Sequence, residues 1–321
     1  MNTYHIAWWN LENLFEVQDS PNRPEWLQKY LNRELKGWIQ EVLDKKLEQL
    51  AMVVKLMNDG AGPDILSVCE VENENVLQQL IAKLGGLNRN YAIALNDGED
   101  KRGIDVAFIY DQGKFTAHEK FSYRVTKRSP TRDIFQVNFK TTLGRDLILI
   151  GNHWPARMPD TYASEPYRII AAETLSYWVS RILEIKGKDV ALLVMGDLND
   201  DPFSRSLIEY ALSTNNRQKV MNARSSPWLY NLLAARYGEG LGSVYYSGPF
   251  MFDQMLANKG LLKTTADIRV LPETAEVNNF DIMSRGSYNE PRRYGRPSSK
   301  SSYDPEGFSD HFPVSVKVRE K

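Results

Sequence analysis

The run Val190-Ala191-Leu192-Leu193-Val194-Met195 breaks directly into Gly196-Asp197-Leu198-Asn199. An apolar run of that length reads as a buried strand. A carboxylate and a carboxamide at i and i+2 behind it point to one side if the extended backbone continues. Taken alone, the segment fits a Gly-Asp turn capping a helix as well as it fits a functional pair. The same juxtaposition recurs along the chain. Asn10 and Glu12 follow residues 4–9, Glu70 and Glu72 follow 65–69, Asn152 and His153 follow 147–151, and Asp310 and His311 precede 313–318. Strand ends of this kind, if they share one edge, form an oxygen-rich pocket. Carboxylate and amide oxygens are the donors that a hard divalent cation such as Mg²⁺ takes. With 4 His, 1 Cys and no clustered spacing, a zinc site is disfavoured. His5 and His118 lie apart from these ends and read as a strand-face and a loop histidine.

The elements that must position these groups are legible as patterns. Strand-like runs fall at 4–9, 65–71, 105–110, 133–139, 146–153, 190–195, 251–257 and 314–318. Apolar residues at three- and four-residue steps predict helices in two stretches, 25–58 and 165–185. The first carries Trp26, Leu27, Tyr30, Leu31, Leu35, Trp38, Ile39 and Val42. Gly37 interrupts it, so residues 19–43 read as a lid-like helical insertion. Residues 284–308, rich in Ser, Arg, Pro and Gly over most of their length, read as a long basic loop. Strands interspersed with helices and no Pro/Ser linker predict a single layered α/β domain over 1–321. The chain of 321 residues is 42% hydrophobic, and 40 Lys+Arg against 41 Asp+Glu leave a net charge of −1. No global field therefore draws nucleic acid or membrane, and any polyanion must be met by local patches. The lone Cys69 allows no intrachain disulfide and suits a reducing compartment. The N-terminus lacks the features of a secretory signal, and no apolar run approaches a membrane span. Together these predict a cytoplasmic globular protein with no membrane contact and no obligate protein partner.

Six segments in order carry a resemblance: Trp9-Asn10-Leu11-Glu12, Ile65-Leu66-Ser67-Val68-Cys69-Glu70, Asn152-His153, Gly196-Asp197-Leu198-Asn199, Phe252-Asp253-Gln254-Met255-Leu256 and Ser309-Asp310-His311. They resemble the endonuclease/exonuclease/phosphatase superfamily over residues 8–318. The resemblance implies a DNase I-like, four-layered α/β/β/α sandwich with its site at one end of two packed sheets. It implies Mg²⁺ or Mn²⁺ held chiefly by Glu70, with Asn10 and Asp310. Asp197 and Asn199 are then the pair that orients or deprotonates the attacking water, His311 stabilises charge at phosphorus, and Asp253 orients His311. His153 matches the second catalytic histidine of DNase I-like members, with Asp105 a plausible partner; the competing reading of His153 is a core histidine anchoring the turn into Trp154-Pro155. Glu12 stays open between the metal and a hydrogen bond to Asn10. The physics agrees, because attack on a phosphodiester builds negative charge that positioning and electrostatics must absorb.

Substrate is less legible. Asn152-His153-Trp154 departs from abasic-site endonucleases, and the sequence signatures of inositol polyphosphate 5-phosphatases are absent, so the chain looks most like bacterial nuclease-type members. Arg124, Lys127, Arg128 and Arg132 form one basic segment; Arg285, Arg292, Arg293, Arg296 and Lys300 form another, with Tyr288, Tyr294 and Tyr303 among them. The first reads equally as solvated surface; in the second, Arg292, Arg293 and Arg296 are candidate substrate contacts. The leading expectation is a metal-dependent phosphodiesterase on nucleic acid, DNA or RNA. The alternative keeps the chemistry on a small phosphoester such as a phosphoinositide or nucleotide. A silent binding module is a third class, which the complete set of motifs disfavours.

Overall fold

The computed structural model describes residues 1–96, 98, 100–297 and 303–321; Lys300 of the second basic segment lies outside the described residues. Two large sheets organise the chain. A six-stranded sheet runs in the order Ile268–Val277, Val314–Glu320, Asn2–Leu14, Ile65–Val71, Asp105–Asp111, Tyr91–Leu95. A seven-stranded sheet runs Phe115–Tyr123, Ile134–Thr141, Asp146–His153, Ala191–Asp197, Asp253–Ala257, Leu229–Asn231, Ser213–Thr214. Alternation sorts their side chains into layers. In the strand Ala191–Asp197, Leu192 and Val194 pack with Ala171, Ala172, Leu175 and Val179 of the helix Thr161–Lys186. Leu193 and Met195 face the other way, into the core between the sheets. The helix Gln40–Leu56, with Leu43, Leu47, Leu50 and Val54 buried, belongs to the layer outside the six-stranded sheet, beside the helix Glu74–Lys83. The result is a four-layered α/β/β/α sandwich.

Residues 19–43 hold one short helix, Glu25–Leu31, then turns, and end in the first turn of the helix Gln40–Leu56. Leu27, Leu31, Leu35 and Trp38 are buried, whereas Trp26 and Tyr30 are exposed, so the apolar steps in the sequence span two faces rather than one stripe. The segment is anchored to the core: Trp38 Nε1–H donates to the Phe15 carbonyl at 3.0 Å, and Arg23 pairs with the buried Glu72 at 2.5 Å. The strand expected at 251–257 begins only at Asp253. Met251 N–H is taken by the Asp201 side chain, which withdraws it from the ladder, while the Phe252 carbonyl still accepts from Leu198 N–H one step beyond the Asp253–Asp197 pair.

Candidate active site

Three inward-facing residues lie side by side at one end of the seven-stranded sheet. Register pairs His153 with Asp197 across parallel strands, and Asp197 with Asp253 across antiparallel ones. Each shares the parity of its strand's core-facing residues: Leu147 and Leu149, Leu193 and Met195, Met255 and Ala257. The row therefore points between the sheets rather than at the outer helix. Gly196 permits the close approach, because a Cβ there would sit 2.5 Å from the Asn152 carbonyl oxygen. Across the gap, the six-stranded sheet contributes Asn10 and Glu70 from neighbouring parallel strands and His311 from just before the strand Val314–Glu320.

Asp197 is the meeting point. Its Oδ2 accepts from Asn10 Nδ2 at 3.1 Å and lies 3.6 Å from His153 Nε2 and 3.9 Å from His311 Nε2. His311 Nδ1 stands 2.6 Å from Asp253 Oδ2, while Trp8 Nε1–H donates to the other Asp253 oxygen at 2.8 Å. Burial opposes charge on His311, but Asp253 and Asp197 outweigh it and hold the imidazole well above its ordinary value. His153 is driven well below that value, first by burial and then by Arg132 and Arg102. Asp197 is pushed up to about 6 by burial and Asp253, against the opposing pull of His311. Asn199 does not extend the strand: it is left-handed, with φ 51, and its Nδ2 donates to the Trp154 carbonyl at 3.0 Å. It thus braces the turn from which Asp197 projects.

The carboxylates at the strand ends fit a hard cation by their donor chemistry. Glu70 places one oxygen 3.7 Å from His153 and accepts from Asn13 N–H at 2.9 Å with the other. Its backbone is left-handed, with φ 61, as are Glu12 and Asn13 at φ 53 and 56. Desolvation and then the charges of Glu12 and Glu70 push Asp310 up, although its side chain keeps 34% of its surface exposed; such crowding of acidic oxygens is what a divalent ion relieves. Asp197, Asp253 and His311 also offer atoms within 4.8 Å of one another, a group that could hold a metal ion. Both Asp253 oxygens are already hydrogen-bonded, to Trp8 and His311, so Glu70 and Asp310 are the better-suited oxygens. The Asn10 amide is engaged at both ends, to Asp197 and to Glu12 N–H.

The Glu12 carboxylate, left open by the sequence, is occupied elsewhere. It accepts from Arg293 Nε at 2.9 Å, Tyr294 N–H at 2.8 Å and Gly295 N–H at 3.1 Å. Lys46, fully buried on the helix Gln40–Leu56, ties this knot by donating to the Glu12 carbonyl at 2.8 Å. Of the arginines singled out in the sequence, the structure brings Arg293 to the carboxylates, 3.9 Å from Asp310. Arg292 is held by Asp304 at 2.7 Å and Arg296 by Glu34 at 2.9 Å. Asp105 accepts from Gly98 N–H at 3.0 Å. Sequence reasoning missed the placement of Arg132 and Lys46. Arg132 is buried beside His153, with NH2 donating to the Trp154 carbonyl at 2.8 Å. Lys46 stands among Leu43, Leu47 and Leu50, and a lysine at the apolar spacing of an otherwise amphipathic helix was the available signal.

The sequence matches the model of the endonuclease/exonuclease/phosphatase family over residues 5–320. The chain belongs to that family. Its members are hydrolases of phosphoester bonds, and the solved structures it resembles share the fold. A Bacteroides thetaiotaomicron protein of the family is 16% identical, with a TM-score of 0.56 and coverage of 99% of this chain and 97% of that one. The mannosyl-6-phosphatase of the same species gives 16%, 0.56, 98% and 99%. The catalytic domain of human Nocturnin gives 15%, 0.58, 99% and 94%. No curated protein matches the sequence. Among the described residues, no helix is long and apolar enough to cross a membrane.

Proposed function

We propose that this family member is a divalent-metal-dependent phosphodiesterase that cleaves nucleic acid. The observation that carries the reading is the His311–Asp253 pair, 2.6 Å apart and set beside Asp197, with Glu70 3.7 Å from His153 on the facing sheet. When bound, Mg²⁺ or Mn²⁺ would lower the pKa of a water and neutralise charge at the phosphorus centre; Glu70 and Asp310, with Asn10 alongside, would hold it. Asp197, with its carboxyl near 6, accepts the proton of the attacking water close to neutral pH. Asn199 keeps Asp197 in place. His311 donates Nε2–H to a phosphoryl oxygen, and Asp253 fixes its ring and its charge. His153, held neutral, supplies a hydrogen bond rather than a positive charge. Arg293, steered by Glu12, is the arginine placed to meet the phosphate.

The electrostatics favour a diester over a polyphosphorylated head group. Arg157, Arg292, Arg293 and Arg296 are each paired with an acid, leaving little unpaired charge there for additional phosphates. The test is incubation of the purified protein with plasmid, single-stranded DNA, RNA and a panel of phosphoinositides and sugar phosphates, in Mg²⁺, Mn²⁺ or EDTA. Cleavage of a nucleic acid that EDTA abolishes is the expected result. Release of inorganic phosphate from monoesters, with every nucleic acid intact, would overturn the reading in favour of a small phosphoester.

A further inference from the structure

Immediately before Asp253 the chain forms an aromatic surface for which the proposed chemistry has no use. The strands Val244–Tyr245 and Pro249–Phe250 make a small hairpin, and a backbone bridge joins Val244 to His311. Tyr246, at its tip, is 63% exposed. Its ring lies 6.1 Å from Phe250 and 6.3 Å from Phe252, and those two are 5.3 Å apart. The planes tilt at 57°, 42° and 41°, forming an open cluster rather than a closed stack. The Arg157 guanidinium covers Phe252 at 4.5 Å and Phe250 at 5.4 Å. The bridge between Val244 and His311 sets the hairpin beside the catalytic residues.

We propose that the exposed Tyr246 and the half-buried Phe250, underlain by the buried Phe252 and by Arg157, form a shelf on which a nucleobase next to the scissile phosphate stacks. The inference rests on the phosphodiesterase reading above and specifies how its substrate is gripped. Charge selects the occupant. Arg157 is neutralised by Asp200 at 3.1 Å and Asp201 at 3.0 Å, so the shelf carries no net positive charge to hold a second phosphate. A neutral, planar, polarisable group suits it, and a nucleobase brings that group covalently linked to a phosphodiester. Stacking on aromatic side chains tolerates any base, because every base has a π-face. With Arg157, Arg292, Arg293 and Arg296 each paired with an acid, the shelf draws affinity from stacking more than from counterion release.

The position also fixes the geometry. Phe252 immediately precedes Asp253, its carbonyl accepts from Leu198 N–H at 2.8 Å, and Phe312 N–H donates to the Ser243 carbonyl at 2.7 Å. The shelf is therefore built on the same backbone as Asp197, Asp253 and His311, and a base seated there holds its phosphate in register with them.

The experiment measures inhibition of oligonucleotide cleavage by adenosine 5′-monophosphate and by ribose 5-phosphate, in wild type, Tyr246→Ala, Tyr246→Phe and Phe250→Ala. Circular dichroism establishes folding; the exposure of Tyr246 makes its truncation compatible with the fold. In wild type the nucleotide should inhibit about 5–160-fold more strongly than the sugar phosphate, the range of one base–aromatic stack. Tyr246→Ala should shrink that ratio and raise KM for the oligonucleotide with kcat within about twofold, while Tyr246→Phe keeps both near wild type. Equal inhibition by the two compounds in wild type, or a nucleotide preference that survives in both alanine variants, overturns the shelf while cleavage upholds the phosphodiesterase reading. Turnover of sugar phosphates with no cleavage of any nucleic acid overturns that reading, and the shelf with it.

Discussion

Two histidines flank Asp197, both buried, both with Nε2 within 4 Å of its carboxylate, and they sit at opposite ends of the protonation scale. His311 has an acid on each side, Asp253 at 2.6 Å behind and Asp197 in front. His153 also has acids in front, Glu70 and Asp197, but its Nδ1 makes no hydrogen bond and Arg132 is buried beside it. The difference teaches that burial alone does not set a histidine's role. The group behind the ring decides, since a carboxylate there stabilises the imidazolium and a guanidinium nearby forbids it. One half of the candidate site therefore presents a positive donor, and the other a neutral one.

The comparison can be broken at its strongest point. His311→Ala should lower kcat by roughly 10²–10⁴-fold, the usual worth of a positioned acid–base group, with circular dichroism unchanged. Asp253→Asn removes the acceptor that favours charge, so the His311 pKa should fall; the limb of the kcat pH profile that requires the imidazolium should move to lower pH, read between pH 5.5 and 8.5. His153→Ala should do less, about 10–100-fold, because a neutral donor contributes a hydrogen bond near developing charge rather than a proton transfer. A loss equal to that of His311→Ala, accompanied by a vanished pH limb, would mean that the two halves act alike. Arg132→Gln should raise the His153 pKa, visible in the imidazole chemical shifts across a pH titration; an unmoved titration would remove Arg132 from the account.

The smallest effect on catalysis belongs to a third buried histidine, far along the first strand. His5, 2% exposed with neither ring nitrogen hydrogen-bonded, is lowered by burial to about 4. Between pH 6.5 and 4 the unfolded chain takes a proton at this position that the folded one refuses. Stability should therefore fall as pH drops through that window, by at most about 3 kcal/mol from this residue. Urea midpoints of wild type and His5→Gln at pH 6.5, 5.5 and 4.5 should converge or cross as pH falls, while kcat at pH 7 stays unchanged. Parallel pH dependence of the two midpoints would contradict the shift.

Most of the site was legible because its residues interrupt apolar strands: Glu70 after Cys69, Asp197 after Gly196, His153 after Asn152 each place a polar group where a core side chain is due. The three longest strands the sequence did not announce, Tyr91–Leu95, Phe115–Tyr123 and Ile268–Val277, are all sheet edges. An edge strand packs less completely and need not alternate; Phe115–Tyr123 keeps only its first and last residues buried, and Ile268–Val277 carries an irregularity between Leu271 and Glu276. Glu12 and Arg293 could not be paired from the sequence, since 281 positions separate them. Asn199 fits the motif by type, but only its left-handed backbone reveals that its amide is turned to Trp154.

Among the described non-glycine residues with left-handed backbone, only Glu12, Glu70 and Leu212 are neither Asn nor Asp. Two of those three lie at the strand ends that frame the site. Each such residue costs about 1–2 kcal/mol relative to a relaxed backbone, and substitution by glycine would recover part of it at the expense of the carboxylate. Backbone strain at Glu12 and Glu70 is thus carried at the positions whose carboxylates also tie the strand ends together, to Arg293 and the 294–295 backbone and to Asn13 N–H.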